Sequence, residues 1–287
     1  MRMKHSESIQ GKTVAVSGST GGLGRELCRA LAAEGAHLLL LDRNAEKAAT
    51  LIAALEAEFP ALTATHLTVD LTDFATVKAA ADALCEHPPY ALVLNAGAYA
   101  VPRFRCDTGW DNVFQINFVA PYYLARRVKD HGVRVVAVGS IAHNYSKTDP
   151  NDVDFSTRRA ASKVYGNAKR YLMFALYDLF RGETGLSVTH PGITLTGITA
   201  HYPKAIYWLI KPCMRLLFPA PKTACRAIVQ GVFEDCGENE WIGPCLFDVW
   251  GKPKKRILHT CKPAEAAAIA HTAEKIYEEL RNTYDRE

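Results

Sequence analysis

The chain has 287 residues, 48% of them hydrophobic and 22% charged, with a formal net charge of +4. This suits one large α/β domain or at most two small ones, and basic residues spread along the chain leave no footprint for nucleic acid. The eight cysteines form no CxxC pair and no His/Cys ligand spacing, so no metal site or disulfide framework is expected, and reduced thiols in a cytoplasmic protein are the simpler reading.

The first residues, MRMKHSESIQGK, lack the apolar core of a signal peptide. No apolar run reaches the ~20 residues that span a bilayer. TVAVSG at 13–18 is a β-branched run ending in glycine and predicts a buried strand. GRELCRALAAEGA follows with Leu27, Leu31 and Ala32 on one face and Gly35 as a stop signal, which predicts a helix. HLLLLD at 37–42 predicts a second strand, and AEKAATLIAALEAEF a second helix with Pro60 beyond its end. THLTVDL, ATVKAAADALCE and YALVLNAG predict strand, helix and strand. A helix is expected from about Thr108 to Val128, then the strand VRVVAVGS, a long helix from Ala160 to Phe180, and a sixth strand in LSVTHPG. Near the end, Ile269, Ala273, Ile276 and Leu280 recur at helical spacing, as in a packed terminal helix. Apolar strands alternating with helices predict a single α/β domain: a doubly wound parallel sheet with helices on both faces.

SGSTGGLG at 17–24 joins the first strand to the first helix, with Gly18, Gly22 and Gly24 in a G-x-x-x-G-x-G pattern. Small residues let backbone approach a pyrophosphate, and the helix N-terminus offers free N–H groups with partial positive charge. The strand–turn–helix context favours dinucleotide binding over a plain tight turn. Asp42 ends the second strand, where its carboxylate would accept from both ribose hydroxyls; a helix N-terminal charge is the other reading. Two Tyr/Lys pairs have four-residue spacing: Tyr165 with Lys169 and Tyr207 with Lys211. On a helix that spacing puts both side chains on one face.

These pieces resemble the short-chain dehydrogenase/reductase family over roughly residues 11–250. The carriers are the glycine pattern, DLTD (70–73), NAG (95–97), INF with Asn117, VGSIAH with Ser140, YGNAK with Tyr165 and Lys169, and HPGITLT (190–196). The HPG wording and the long gap from Ser140 to Tyr165 look most like the branch of retinol and hydroxysteroid dehydrogenases. In the family the serine precedes the tyrosine and the proline–glycine segment follows it. Tyr165 meets both conditions, whereas Tyr207 follows Pro191 and Gly192, so the resemblance selects Tyr165.

The resemblance implies a Rossmann-type fold and NAD(P)-dependent oxidation of an alcohol or reduction of a ketone. Tyr165 would move the proton, Ser140 would hydrogen-bond the substrate oxygen, Lys169 would favour the phenolate and bond the nicotinamide ribose, and Asn117 would hold a water for proton relay. A phenol with a pKa of about 10 needs such help to act as a base near neutral pH. Cofactor contacts would come from Gly18, Ser19, Thr20, Gly22, Leu23 and Gly24, from Asp42 and Arg43, and from Asp70 and Leu71. Asn95, Ala96 and Gly97 would add to them, as would Tyr165 and Lys169, and the nicotinamide would meet Pro191, Gly192, Ile193, Thr194 and Thr196. Substrate would touch Ser140 and Tyr165, and no metal is implied. His143 and His190 are expected to be structural, with His143 in the substrate wall as the alternative.

Asp42 favours NAD, because its charge repels the 2′-phosphate of NADP, while Arg43 points the other way. The glycine turn holds no basic residue before Arg25, and NAD is the expected cofactor. Residues 11–198 would form the cofactor-binding and catalytic core, 199–250 a substrate lid and last strand region, and 260–287 a C-terminal helix. ITAHYPKAIYWLIKPCMRLLFPAPKTA after Thr196 is apolar and aromatic with interspersed Lys and Arg. It suits a lid over a steroid, retinoid or other lipid-like alcohol or ketone. Packing on the body or on a second copy in a homo-oligomer, and peripheral membrane contact, remain open. So does a catalytically inactive dinucleotide-binding regulatory or scaffold protein.

Overall fold

The computed structural model describes residues 8–192 and 219–285. The strands β1 (Thr13–Ser17), β2 (His37–Asp42), β3 (Ala64–Thr68), β4 (Ala91–Leu94), β5 (Arg134–Val138), β6 (Leu186–Thr189), β7 (Glu240–Leu246) and β8 (Trp250–Ile257) form one sheet in the order β3-β2-β1-β4-β5-β6-β7-β8. Pairing is parallel up to β7, and β8 returns antiparallel as a hairpin. The chain runs outward from β1 to β3 and then comes back to place β4 beside β1. This reversal opens a crevice at the carboxyl ends of β1 and β4, where open α/β sheets take their ligands.

Helices cover both faces. Leu27 and Leu31 of α1 (Gly22–Ala33), Leu51 and Leu55 of α2 (Ala45–Glu58) and Ile228 and Val232 of α7 (Pro221–Phe233) pack on Val14, Val16, Val93 and Val136. The opposite face of the same strands, with Ala15, Leu92, Leu94 and Val135, packs on four other helices. These are α3 (Phe74–Glu86), α5 (Ala120–Lys129), α6 (Ala161–Leu179) and α8 (Pro263–Tyr284). Alternate residues of each strand therefore go to opposite cores, which is why these strands read as continuous apolar runs. The expected doubly wound sheet is what forms.

Element ends differ from the sequence expectation where side chains cap them. The helix expected from about Thr108 begins at α4 (Asn112–Phe114), because Asp111 accepts from Val113 N–H at 3.0 Å and caps it. It then passes through a π-helical segment, Gln115–Val119, into α5. The third strand stops at Thr68, and the Asp70 side chain, accepting from Thr72 N and Oγ1 at 2.9 and 2.8 Å, bends the chain there. Within 199–250, α7 packs on the body and β7 joins the sheet beside β6. Gly231, a weak helix former, sits where an added Cβ would lie 2.6 Å from Thr189 Cγ2, so close helix–sheet packing outweighs propensity. The rest of that span, 199–218, on which the lid expectation also falls, lies outside the described residues. Among the described residues no helix is long and apolar enough to cross a membrane.

Candidate active site

The glycine turn is built by two glycines and left open by a third. Gly18 has φ +66°, and a Cβ there would lie 2.8 Å from Ala96 Cα; one on Gly24 would lie 2.2 Å from Gly18 O. Both positions exclude a side chain. Gly22 has nothing within 4 Å of a would-be Cβ, and no side chain caps the N-terminus of α1. An exposed, uncapped helix end with an open glycine face suits an anionic pyrophosphate. The residues present therefore fit a dinucleotide.

Ser17 stitches the crevice. Its Oγ accepts from the N–H groups of Asn95 and Ala96, both at 3.1 Å, and donates to Val93 O. Asn95 Nδ2 returns two bonds, to the carbonyls of Ser17 (3.0 Å) and Gly18 (3.1 Å). The side chain of Asn95 thus braces the glycine turn, and Ser17 is a site-building residue that motif reading passes over. The carbonyl of Leu71 accepts from Gln115 Nε2 at 3.0 Å, which ties the Asp70–Leu71 turn to the π-helical segment.

Asp42 does something the sequence reading did not anticipate. The residue is 6% exposed, and its carboxylate points into the glycine turn. Oδ2 accepts from the N–H (3.1 Å) and the hydroxyl of Ser19, and Oδ1 from the N–H (3.3 Å) and hydroxyl (2.8 Å) of Thr20. Four donors fill the acceptor sites of a carboxylate. Asp42 is a clamp on the turn, and ribose hydroxyls would have to exchange with those of Ser19 and Thr20. Arg43 beside it is exposed.

Ser140, Tyr165, Lys169 and Asn117 come together at the carboxyl end of β5. Tyr165 and Lys169 lie on α6, with the Lys169 Nζ 5.8 Å from the Tyr165 ring centroid. Lys169 is 2% exposed and donates to Val138 O at 2.9 Å. Ser140 opens the 3₁₀ turn Ile141–Asn144, and its Oγ accepts from Ala142 N–H at 3.2 Å. Burial pushes the Tyr165 phenol up to about 12, and its side-chain interaction with Ser140 works against that rise. Burial brings the Lys169 ammonium down to about 8. Tyr99 meets the Tyr165 ring edge-on at 5.5 Å.

Asn117 lies in the π-helical segment and is fully buried. Its Nδ2 donates to Ala98 O (2.9 Å) and Val113 O (2.8 Å), and its Oδ1 accepts from Ala98 N–H (3.3 Å). Its amide is therefore occupied in holding the 97–98 segment. Gly97 fits between, since a Cβ there would lie 2.9 Å from Asn117 Oδ1 and 3.8 Å from Lys169 Nζ. After β6, Gly192 turns with φ +82°, and a Cβ would lie 3.2 Å from Pro244 and from Val249 O. Ile193, Thr194 and Thr196 lie outside the described residues, as do Tyr207 and Lys211. His190 stacks on Trp241 at 4.8 Å and bonds Asp248 O; burial brings it down to about 3. Among the described residues no group of three or more His, Cys, Asp or Glu side chains could hold a metal.

Known proteins resemble this chain. A family model described as short chain dehydrogenase matches residues 12–170. The chain is 27% identical over 296 residues to the dehydrogenase/reductase SDR family member FEY of Arabidopsis thaliana, covering 93% of this chain and 76% of that protein. It is 28% identical to retinol dehydrogenase 12 of Mus musculus, covering 82% and 80%. In structure it is similar to an uncharacterized protein from Mycobacterium paratuberculosis, with a TM-score of 0.75, 22% identity, and coverage of 94% and 95%.

Proposed function

This chain belongs to the short chain dehydrogenase family, and on that premise we propose that it transfers hydride between a nicotinamide dinucleotide and a secondary alcohol or ketone of hydrophobic, lipid-like character. The observation that carries the reading is the buried convergence of Ser140, Tyr165 and Lys169 beside an open, uncapped glycine turn.

When bound, the nicotinamide supplies the hydride acceptor or donor. Gly22 and the N-terminus of α1 would hold its pyrophosphate. Tyr165 holds its proton near neutral pH, since burial pushes the phenol up to about 12. It is therefore set to donate that proton to a carbonyl oxygen in reduction. Oxidation needs the phenolate, which the Lys169 ammonium favours electrostatically. Ser140 hydrogen-bonds the substrate oxygen and stabilises charge developing on it. An apolar substrate is supported by the side chains around Tyr165: Val113, Phe155 and Val164 are buried with it, and Tyr99 and Val101 pack alongside.

Incubation with NAD(H) or NADP(H) and a panel of steroids, retinoids and simple ketones tests the reading. It expects turnover of at least one hydrophobic substrate. Cofactor binding without turnover across the panel would instead assign a non-catalytic dinucleotide-binding protein.

Ser140→Ala should lower turnover by at least ~10²-fold, the range for a lost oxyanion-type donor. A change under about threefold would leave Ser140 as only the cap of its 3₁₀ turn.

The cofactor is NAD in this reading. The Asp42 carboxylate is locked at the turn by four donors and makes no ion pair among the described residues. Its fixed negative charge stands at the end of β2, where the family places the adenine ribose, and would repel a 2′-phosphate. Wild type should show the higher kcat/KM with NAD, and Asp42→Ala should move that preference toward NADP by removing the repelling charge beside the exposed Arg43. The substitution should also weaken both cofactors, because it unclamps the glycine turn. A wild-type preference for NADP would overturn this assignment.

A further inference from the structure

Tyr165 and Lys169 ride together on α6, but Ser140 belongs to another element, the turn after β5. Something must hold the turn and the helix in register. Gly166 lets them touch, since a Cβ there would lie 2.2 Å from Ala142 O. Contact alone leaves the turn free to slide. The tie is made by His143 and Arg170, within the span matched by the family model, together with Thr260 and Glu265 beyond it.

His143 is fully buried three residues after Ser140. Its Nδ1 lies 2.7 Å from Ser140 O. A carbonyl only accepts, so the network puts the proton on Nδ1. The neutral ring then offers Nε2 as acceptor to the Thr260 hydroxyl at 2.8 Å. Burial brings His143 down to about 4, so this uncharged form persists at neutral pH. Trp241 closes one side of the ring at 5.6 Å.

Arg170 follows Lys169 on α6 and is 2% exposed. It donates to the carbonyls of His143 (3.2 Å) and Thr260 (2.7 Å). Its Nε and Nη2 grip both oxygens of Glu265 at 2.8 and 2.6 Å. Glu265, in the first turn of α8, also accepts from Thr148 N and Oγ1, both at 3.2 Å. One arginine thus joins the Ser140 turn, the helix of Tyr165 and Lys169, and the segment 260–265. A bidentate, charge-assisted pair of this kind is directional as well as strong.

We propose that His143, Arg170, Thr260 and Glu265 are positioning residues: a latch by which the C-terminal segment sets Ser140 against Tyr165. The proposal rests on the catalytic reading of Ser140, Tyr165 and Lys169. Its effect on rate follows from geometry, because a displacement of about 1 Å between reacting groups costs on the order of 10²-fold.

Two mild substitutions test it in the full chain, on the best substrate from the panel. Thr260→Val keeps the shape and the carbonyl that Arg170 uses, and removes only the hydroxyl; Thr260→Ser keeps the hydroxyl. Glu265→Gln keeps the volume and removes the charge. The latch predicts that kcat falls roughly 5- to 10-fold in Thr260→Val and on the order of 10²-fold in Glu265→Gln. Cofactor affinity should hold within about twofold, and Thr260→Ser should restore kcat. Amide exchange over residues 141–148 should quicken in both impaired variants. A lowered Tm with unchanged kcat would make these contacts merely structural and overturn the proposal, as would unchanged kcat and exchange in both. Tyr165→Phe, run alongside, separates the two failures. If it loses turnover while the latch variants keep theirs, only the latch falls. If it keeps turnover, the catalytic reading falls and the latch with it.

Discussion

Tyr165→Phe should lower turnover by roughly 10²- to 10⁴-fold, the usual worth of a positioned acid–base group, while cofactor affinity stays nearly intact. The substitution deletes one hydroxyl and keeps the ring. That ring carries the packing, edge-on against Tyr99 at 5.5 Å and within the apolar group of Val113, Phe155 and Val164. Stability should therefore change little, and lost turnover would report lost proton transfer rather than unfolding. The pH profile supplies a second check. Oxidation by wild type should speed up from neutral to about pH 8, because the phenol is pushed up to about 12 and the phenolate fraction grows as pH rises, and level off where Lys169 loses its proton. Reduction, which uses the protonated phenol, should not share that rise. Tyr207→Phe, at the other Tyr/Lys spacing, should keep the chemistry. Steady-state kinetics on both variants decide the assignment, and near-normal turnover in Tyr165→Phe would sink it.

Lys169→Met should move activity and stability in opposite directions. The wild-type residue is 2% exposed, and its ammonium bonds the carbonyl of Val138 at 2.9 Å and makes no ion pair among the described residues. Burial lowers its pKa from 10.5 to about 8. The unfolded chain therefore holds this proton up to about pH 10.5 and the folded chain only up to about 8. Between those values the unfolded state binds more protons, so stability rises with pH across that window. Below pH 8 both states are charged and the burial penalty is complete, on the order of 3 kcal/mol. Above about 10.5 it is gone. Methionine removes the penalty and gives up one hydrogen bond worth about 1 kcal/mol. Denaturant unfolding should show Lys169→Met to be ~1–2 kcal/mol more stable than wild type at pH 7. The alkaline gain of wild type should be absent from the variant, and turnover should fall by ~10²-fold or more. A variant that loses stability at pH 7 would mean that the Val138 bond outweighs desolvation.

The site's legibility in the sequence followed the range of each interaction. Strand and helix identities were plain, because each reflects side-chain periodicity within a few residues. Boundaries were less so, since Asp111 and Asp70 close turns with their own side chains. The π-helical segment holding Asn117 leaves no periodic trace in five residues. Helix α7 was missed because Gly231, a weak helix former, breaks its pattern to allow close packing against Thr189. Strand β8 was missed because its Gly, Pro and Lys residues are poor strand formers on an exposed edge.

By itself the sequence determined the alternating α/β order and the glycine turn; the preference for Tyr165 over Tyr207 came from the family resemblance and is what the two Phe substitutions test. Tertiary structure alone decided what the polar groups hold. The Asp42 carboxylate turns inward to Ser19 and Thr20, 23 and 22 positions away. Asn95 braces Ser17 and Gly18 across the β1–β4 reversal. Arg170 meets Glu265 from 95 positions away. Such pairings arise from strand order and from how helices settle on a sheet. A buried hydrogen-bonding group takes whatever partner that packing brings within about 3 Å, and linear spacing carries no record of the choice.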